Sequence, residues 1–172
     1  MLKKVIIPLL LLLAVLLLAM PSLAAFSSVI YDKDIKSTDE FLVKITRPEG
    51  DETTFKRSYV ICGNTTLSGI RVELAIEDSK GTFVPFYNTD DESGWDVGQS
   101  GIFMKEVVLP ETGANRIRIA AFQKANSKNL VAGENLQIKD YTITVLEQSF
   151  KDRIKNGVLN VTEALKTIFK VK

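Results

Sequence analysis

The 172 residues include no histidine and a single cysteine, Cys62. That removes Ser-His and Cys-His nucleophile activation and every histidine-containing metal set. What remains able to do chemistry is carboxylate. The densest acidic cluster is Asp90-Asp91-Glu92, with Asp96 following in the same loop-like stretch. Two carboxylates about 5–10 Å apart can hydrolyse a glycosidic bond, and flexible loop oxygens can hold Ca²⁺. A short acidic run between strands is more simply a solvated loop, so no catalytic residue, metal or cofactor is assigned and no enzyme is expected. Aromatic residues surround the cluster: Phe83, Phe86, Tyr87 and Trp95. Flat apolar faces flanked by hydrogen-bond acceptors suit a sugar-binding surface. Tyr87, Asp90, Asp91, Trp95 and Asp96 are therefore the candidate binding residues. The competing reading makes Phe83 and Trp95 plugs of the core.

These residues need a scaffold, and the chain's composition says where it begins. Val5 to Met20 is almost entirely Leu, Ile, Val and Ala, preceded by Lys3 and Lys4 and followed by Ser22-Leu23-Ala24. A basic start, a short apolar run and small residues before the cut describe a secretory signal peptide over residues 1–24. The alternative is an uncut N-terminal membrane anchor, but Pro8 and Pro21 interrupt a run shorter than the ~20 residues a span needs. Cleavage leaves 148 residues and takes two of the 22 basic residues, so 20 bases face 21 acids. A net charge of −1 excludes binding driven by a basic nucleic-acid-facing stripe, and the length is that of one domain. The positive mean hydropathy of +0.09 belongs mostly to the leader. Export implies an oxidising compartment, yet one cysteine cannot form an internal disulfide, so burial alone must hold the core. Cys62 lies in an apolar run and is expected to be a buried, inert thiol.

After a polar lead-in over residues 25–40, period-two alternation begins. It predicts strands at 41–46, 57–63, 70–77, 82–87, 102–109, 115–123 and 141–147. In 70–77, Val72, Leu74 and Ile76 alternate with Arg71, Glu73 and Glu77; in 115–123, Ile117, Ile119 and Ala121 oppose Arg116 and Arg118. One wet face and one buried face is the signature of antiparallel sheets, and seven short strands argue a sandwich or barrel. The pattern resembles the bacterial immunoglobulin-like domains of secreted and surface proteins over about residues 41–147. The resemblance is carried by Ile45-Thr46-Arg47-Pro48, Tyr59-Val60-Ile61-Cys62-Gly63 and Gly69-Ile70-Arg71-Val72. It continues in Gly113-Ala114-Asn115-Arg116-Ile117-Arg118-Ile119 and Tyr141-Thr142-Ile143-Thr144-Val145. It implies a mainly β protein with an Ig-like antiparallel β-sandwich. The Cys…Trp…Cys arrangement of antibody domains is missing.

Past Glu147 the period changes. Phe150, Ile154, Val158, Val161, Leu165, Ile168 and Phe169 are spaced by three or four, which predicts a C-terminal amphipathic α-helical tail over 148–172. Its six basic residues leave three roles open: packing on its own sandwich, homo-oligomerisation, or contact with a membrane surface. Leu109-Pro110-Glu111-Thr112-Gly113 matches the string that sortases cleave, but about sixty residues follow it and none form the required apolar span, so it reads as a strand end and a turn. If the strands alternate in direction, loops 64–69, 88–101 and 124–140 share one end. Long loops on a rigid sandwich are where binding concentrates. The expected function is a non-catalytic binding or adhesion module, secreted or on the cell envelope, with a glycan or envelope protein as partner. The alternative is a structural protein whose C-terminal helix docks a partner, a second copy or a membrane.

Overall fold

The computed structural model describes residues 28–149 and Lys151. The leader over 1–24 and nearly all of the tail over 148–172 lie outside the described residues. Among those described, no helix is long and apolar enough to cross a membrane.

Nine strands follow a short 3₁₀ turn, Ser28–Tyr31. They are β1 (Lys44–Arg47), β2 (Glu52–Thr54), β3 (Ser58–Asn64), β4 (Ile70–Glu77), β5 (Phe83–Pro85), β6 (Gly94–Asp96), β7 (Ile102–Val108), β8 (Gly113–Gln123) and β9 (Leu136–Val145). One sheet has the order β1-β3-β7 and the other β2-β9-β8-β4-β5, with β6 also on β4. All pairs are antiparallel except β2 with β9. The first strand is thus split: its upper half pairs in the small sheet, and the chain then crosses to the large one. Two sheets joined in this order form an Ig-like β-sandwich: the alternation predicts the antiparallel sheets, and the family resemblance implies the Ig-like arrangement.

The core lies between the sheets. Ile45, Tyr59, Ile61, Phe103 and Val107 of the small sheet meet Val72, Leu74, Trp95, Ile117, Ile119 and Ile143 of the large one. The seven expected strands are all present; 70–77 has the bounds of β4, and the others differ at one end or both. The first begins later, because the N–H groups of Phe41, Leu42 and Val43 all turn to one acceptor, Gln137 Oε1, at 2.7–3.0 Å. The last begins earlier, at Leu136, where Gln137, Lys139 and Asp140 hide the alternation. The three-residue strands β2 and β6 are too short to read as a pattern.

Two expectations about faces need correction. The outer face of the large sheet is not simply wet. Ile30 of the lead-in packs with Ala120, Phe122, Leu130, Leu136 and Ile138 in a second apolar cluster there. Arg118, expected on a solvated face, has 0% exposure. Its Nε and Nη2 hold the Asp140 carboxylate at 2.7 and 2.9 Å, and it donates to the carbonyls of Ile30, Asp32 and Ile35 at 2.7–3.1 Å. Phe83 lies 4.0 Å beneath its guanidinium. Every donor is used, which is how a buried cation survives desolvation. Cys62, expected buried, is free and half-exposed. It sits opposite Met104 on the outer face of the small sheet, where Ile102 and Met104 are 64% and 67% exposed.

Candidate functional site

β5 and β6 run in the same direction along one edge of β4. Leu74 joins them: its carbonyl accepts from Phe86 N at 3.0 Å and its N–H donates to Ser93 O at 2.6 Å. Residues 87–92 are looped out between these bonds. The expected 88–101 loop therefore consists of a flank turn, the strand β6 and an end loop over 97–101. Because β6 keeps the direction of β5, the end loop still meets 65–69 and 124–135. The three are tied by backbone bonds Thr65 N–Gly101 O, Val97 N–Ile70 O and Lys124 N–Gly69 O at 2.8–3.0 Å.

This division separates the five candidate residues. The flank turn is built by Asn88, whose Oδ1 accepts from Asp90 N and Glu92 N at 2.8 and 3.0 Å. Asp90 and Glu92 both reach Lys105 Nζ at 2.9 Å. Those bonds raise the lysine's pKa and keep it charged. Asp91, at φ 59°, occupies the left-handed corner of the turn. Among the described residues no cluster of three or more acidic or cysteine side chains is placed to hold a metal ion.

Trp95 points the other way. It pairs with Val72 across β6–β4, so it shares that residue's inward face. It is 7% exposed, packs 5.8 Å from Phe103, and lies with Lys105 5.7 Å above its ring. The structure thus places Trp95 in the core.

Tyr87 and Asp96 remain accessible. Tyr87 is 56% exposed. Asp96 stands across from Arg71 on the outer face, and Gly94 stands across from Glu73. A Cβ on Gly94 would strike the carboxylate of Glu73, so glycine is what lets Glu73 lie flat over β6. The result is a chain of alternating charges: Lys124 Nζ to Asp96 at 2.7 Å, Asp96 to Arg71 at 3.4 Å, Arg71 Nε to Glu73 at 2.7 Å. The Lys124 ammonium holds the Asp96 carboxyl below its usual range, with Arg71 adding to it. Burial raises the pKa of Tyr31, from the lead-in, and the charge of Glu73 and the phenol of Tyr87 add to it. Two tyrosines therefore border a neutral network of two acids and two bases, linked through Lys124 to the end loops. Tyr31, Arg71, Glu73 and Lys124 were missed from sequence. The only available signal was that Arg71 and Glu73 alternate outward on a strand whose neighbour contains Asp96.

No family model matches the sequence, and no curated protein matches it. Among solved structures, the chain is similar to one in the crystal structure of the complex formed between zinc 2-glycoprotein and prolactin inducible protein from human seminal plasma. That likeness has 10% identity and a TM-score of 0.34, and covers 64% of this chain and 99% of the other.

Proposed function

We propose that the chain is an exported, non-catalytic binding module of the bacterial Ig-like type, recognising a polar, uncharged ligand such as a glycan. The carrying observation is the outer-face surface of Tyr31, Tyr87, Arg71, Asp96 and Lys124, with Glu73 buried beneath it as the partner of Arg71. Its charges cancel within the network, so it offers donors and acceptors without selecting a net charge. An exposed tyrosine ring provides the flat apolar contact a sugar ring uses. The end loops 65–69, 97–101 and 124–135 continue the surface, and the position is one where sandwiches commonly bind.

A glycan array probed with the wild type and with Tyr87→Ala and Asp96→Asn tests this reading. Loss of retention in both variants, with an unchanged melting temperature, is the expected result. Equal retention by wild type and variants, or none by the wild type, overturns it. Trp95→Ala is the contrasting control: emptying a core position costs about 3–5 kcal/mol, while an exposed position such as Tyr87 costs within about 0.5 kcal/mol. The described contact between the tail and the sandwich, Lys151 Nζ 5.8 Å from the Phe55 ring, is to this chain's own domain and so does not favour the structural alternative through 148–172. Deleting 152–172 changes the mass in solution under that reading alone.

A further inference from the structure

The opposite side of the sandwich has an unexplained feature. β1 ends at Arg47 and the chain crosses to the large sheet before β2, so the two sheets part between β1 and β9. The mouth is a groove of about 540 Å³ lined by Glu40, Lys44, Ile45, Thr46, Glu49, Lys139 and Tyr141. On β9 the core-facing positions alternate, and Ile143 and Val145 occupy the lower two. The upper ones are Gln137, Lys139 and Tyr141. Polar residues at core positions are where a fold departs from its own rules for a purpose. Gln137 has a structural one, stitching residues 41–43 through its Oε1 and through Nε2 to Val43 O at 2.8 Å. Lys139 and Tyr141 have no comparable task. Lys139 Nζ reaches only the Thr38 carbonyl, at 3.3 Å. Tyr141 packs its ring into the core with 8% of its surface exposed, and its phenol oxygen, open to the groove, makes no hydrogen bond to a described residue.

The groove does not suit an added β-strand. The edge-facing N–H groups of β9 at Ile138, Asp140 and Thr142 are taken by Thr38 Oγ1, Ser37 Oγ and Asp51 Oδ1 at 2.7–3.1 Å. That of Ile45 on β1 is taken by Glu40 Oε1 at 3.1 Å. A ligand must therefore bind through side chains. Two acids, Glu40 and Glu49, and two bases, Lys44 and Lys139, surround the groove. None forms an ion pair with another, or with any described residue. Separated charges of both signs over a floor of Ile45 and the Tyr141 ring are complementary to a small molecule with an ammonium, a carboxylate and an apolar body.

We propose that this groove binds a small zwitterion of the amino-acid or short-peptide class. The carboxylate meets Lys139 or Lys44, the ammonium meets Glu40 or Glu49, and the Tyr141 phenol donates to the ligand. This site is independent of the tyrosine surface on the other flank.

Amide chemical shifts of the exported chain, titrated at pH 7 with L-leucine and with glycyl-leucine, test the assignment. Saturable shifts at Thr46 and Tyr141 with at least one of the two are expected, and which one binds separates a free amino acid from a peptide. N-acetyl-leucine and leucinamide, each lacking one charge, should bind at least about ten-fold more weakly, as should whichever of L-leucine and glycyl-leucine binds the wild type when it is titrated into Lys139→Gln or Glu49→Gln. Glu49 is exposed and Lys139 half-buried with one long bond to the Thr38 carbonyl, so Glu49→Gln should leave the melting temperature unchanged and Lys139→Gln should lower it only slightly. Tyr141→Phe should weaken binding while keeping the ring. No saturable shift with either probe, or equal affinity for the capped compounds, overturns the proposal.

Discussion

Two side chains show how burial turns a surface residue type into a structural one. Arg118 spends its five N–H donors on Asp140 and three lead-in carbonyls. Arg118→Met would keep much of the volume but leave the nearly buried Asp140 with only the exposed Arg116, which approaches at 3.0 Å. Removing one partner of a buried pair costs about 3–5 kcal/mol. Urea denaturation should show a loss of that order, and Arg118→Met with Asp140→Asn should recover part of it. Tyr141 makes the complementary point at high pH. Burial, with the Glu40 charge adding, pushes its phenol up to about 12. Burial and a hydrogen bond to Glu52 raise Tyr59 as well. In the unfolded chain each ionises near 10. The folded protein thus holds the proton longer, so this stability is complete below pH 10 and declines as pH rises from there toward 12. Melting temperatures from about pH 8 to 12 should fall along that slope, and Tyr141→Phe should flatten it. At pH 7 the same substitution is near neutral, because the phenol has no partner to lose. A slope unchanged in Tyr141→Phe would mean that other groups carry the alkaline limb.

At the scale of elements, the end loops are held by one glycine. Gly101 has φ +69°, and a Cβ there would overlap the Thr65 carbonyl oxygen that lies against it. Gly101→Ala meets a positive-φ penalty of about 1 kcal/mol or more and a backbone clash that no rotamer relieves. Loss of about 2 kcal/mol or more is expected in thermal denaturation, with faster amide exchange at Thr65 and Ile102. Exchange unchanged at both positions would show that the loops are not coupled there. Glycines at such corners are visible in a sequence, as are strands with one apolar face; hence 70–77, 102–109 and 115–123 fall close to β4, β7 and β8. Other features depend on pairing at a distance. Arg118 reads as solvated because its partners are 83–88 residues away in the lead-in. Trp95 reads as either core or site until the register against Val72 fixes its face, and a three-residue strand has no periodicity to reveal it. The types at Tyr87 and Asp96 were legible, whereas Tyr31, Arg71 and Glu73 join them only through the fold. Cys62 reads as buried because it lies in an apolar run, but it points to the outer face of β3, and among the described residues only the inner face is covered.

Across the whole molecule, the two sheets are treated unequally. Among the described residues, the small sheet keeps its outer face open, while the large sheet is covered on its inner face and, by residues 28–38, on part of its outer one. That lead-in supplies three things at once. Ile30 closes the second apolar cluster, three carbonyls satisfy Arg118, and Ser37 and Thr38 cap the N–H groups of Asp140 and Ile138. It is polar in composition, so its contribution rests on position rather than hydrophobicity. A chain beginning at Asp39 loses all three. Burying one Ile side chain contributes about 1.5–3 kcal/mol, and an uncompensated buried cation costs several more. The sum is comparable with the roughly 5–15 kcal/mol that holds an ordinary domain together. Such a chain should bind a hydrophobic dye and aggregate near 37 °C, with its melting temperature lowered by ten degrees or more on the order expected for that loss. Ile30→Ala, which removes only the apolar part, should cost about 2–5 kcal/mol and leave the protein folded. If the shortened chain melts where the full one does, the lead-in is an ornament on a self-sufficient sandwich. If it fails as expected, the folded unit begins near Ser28.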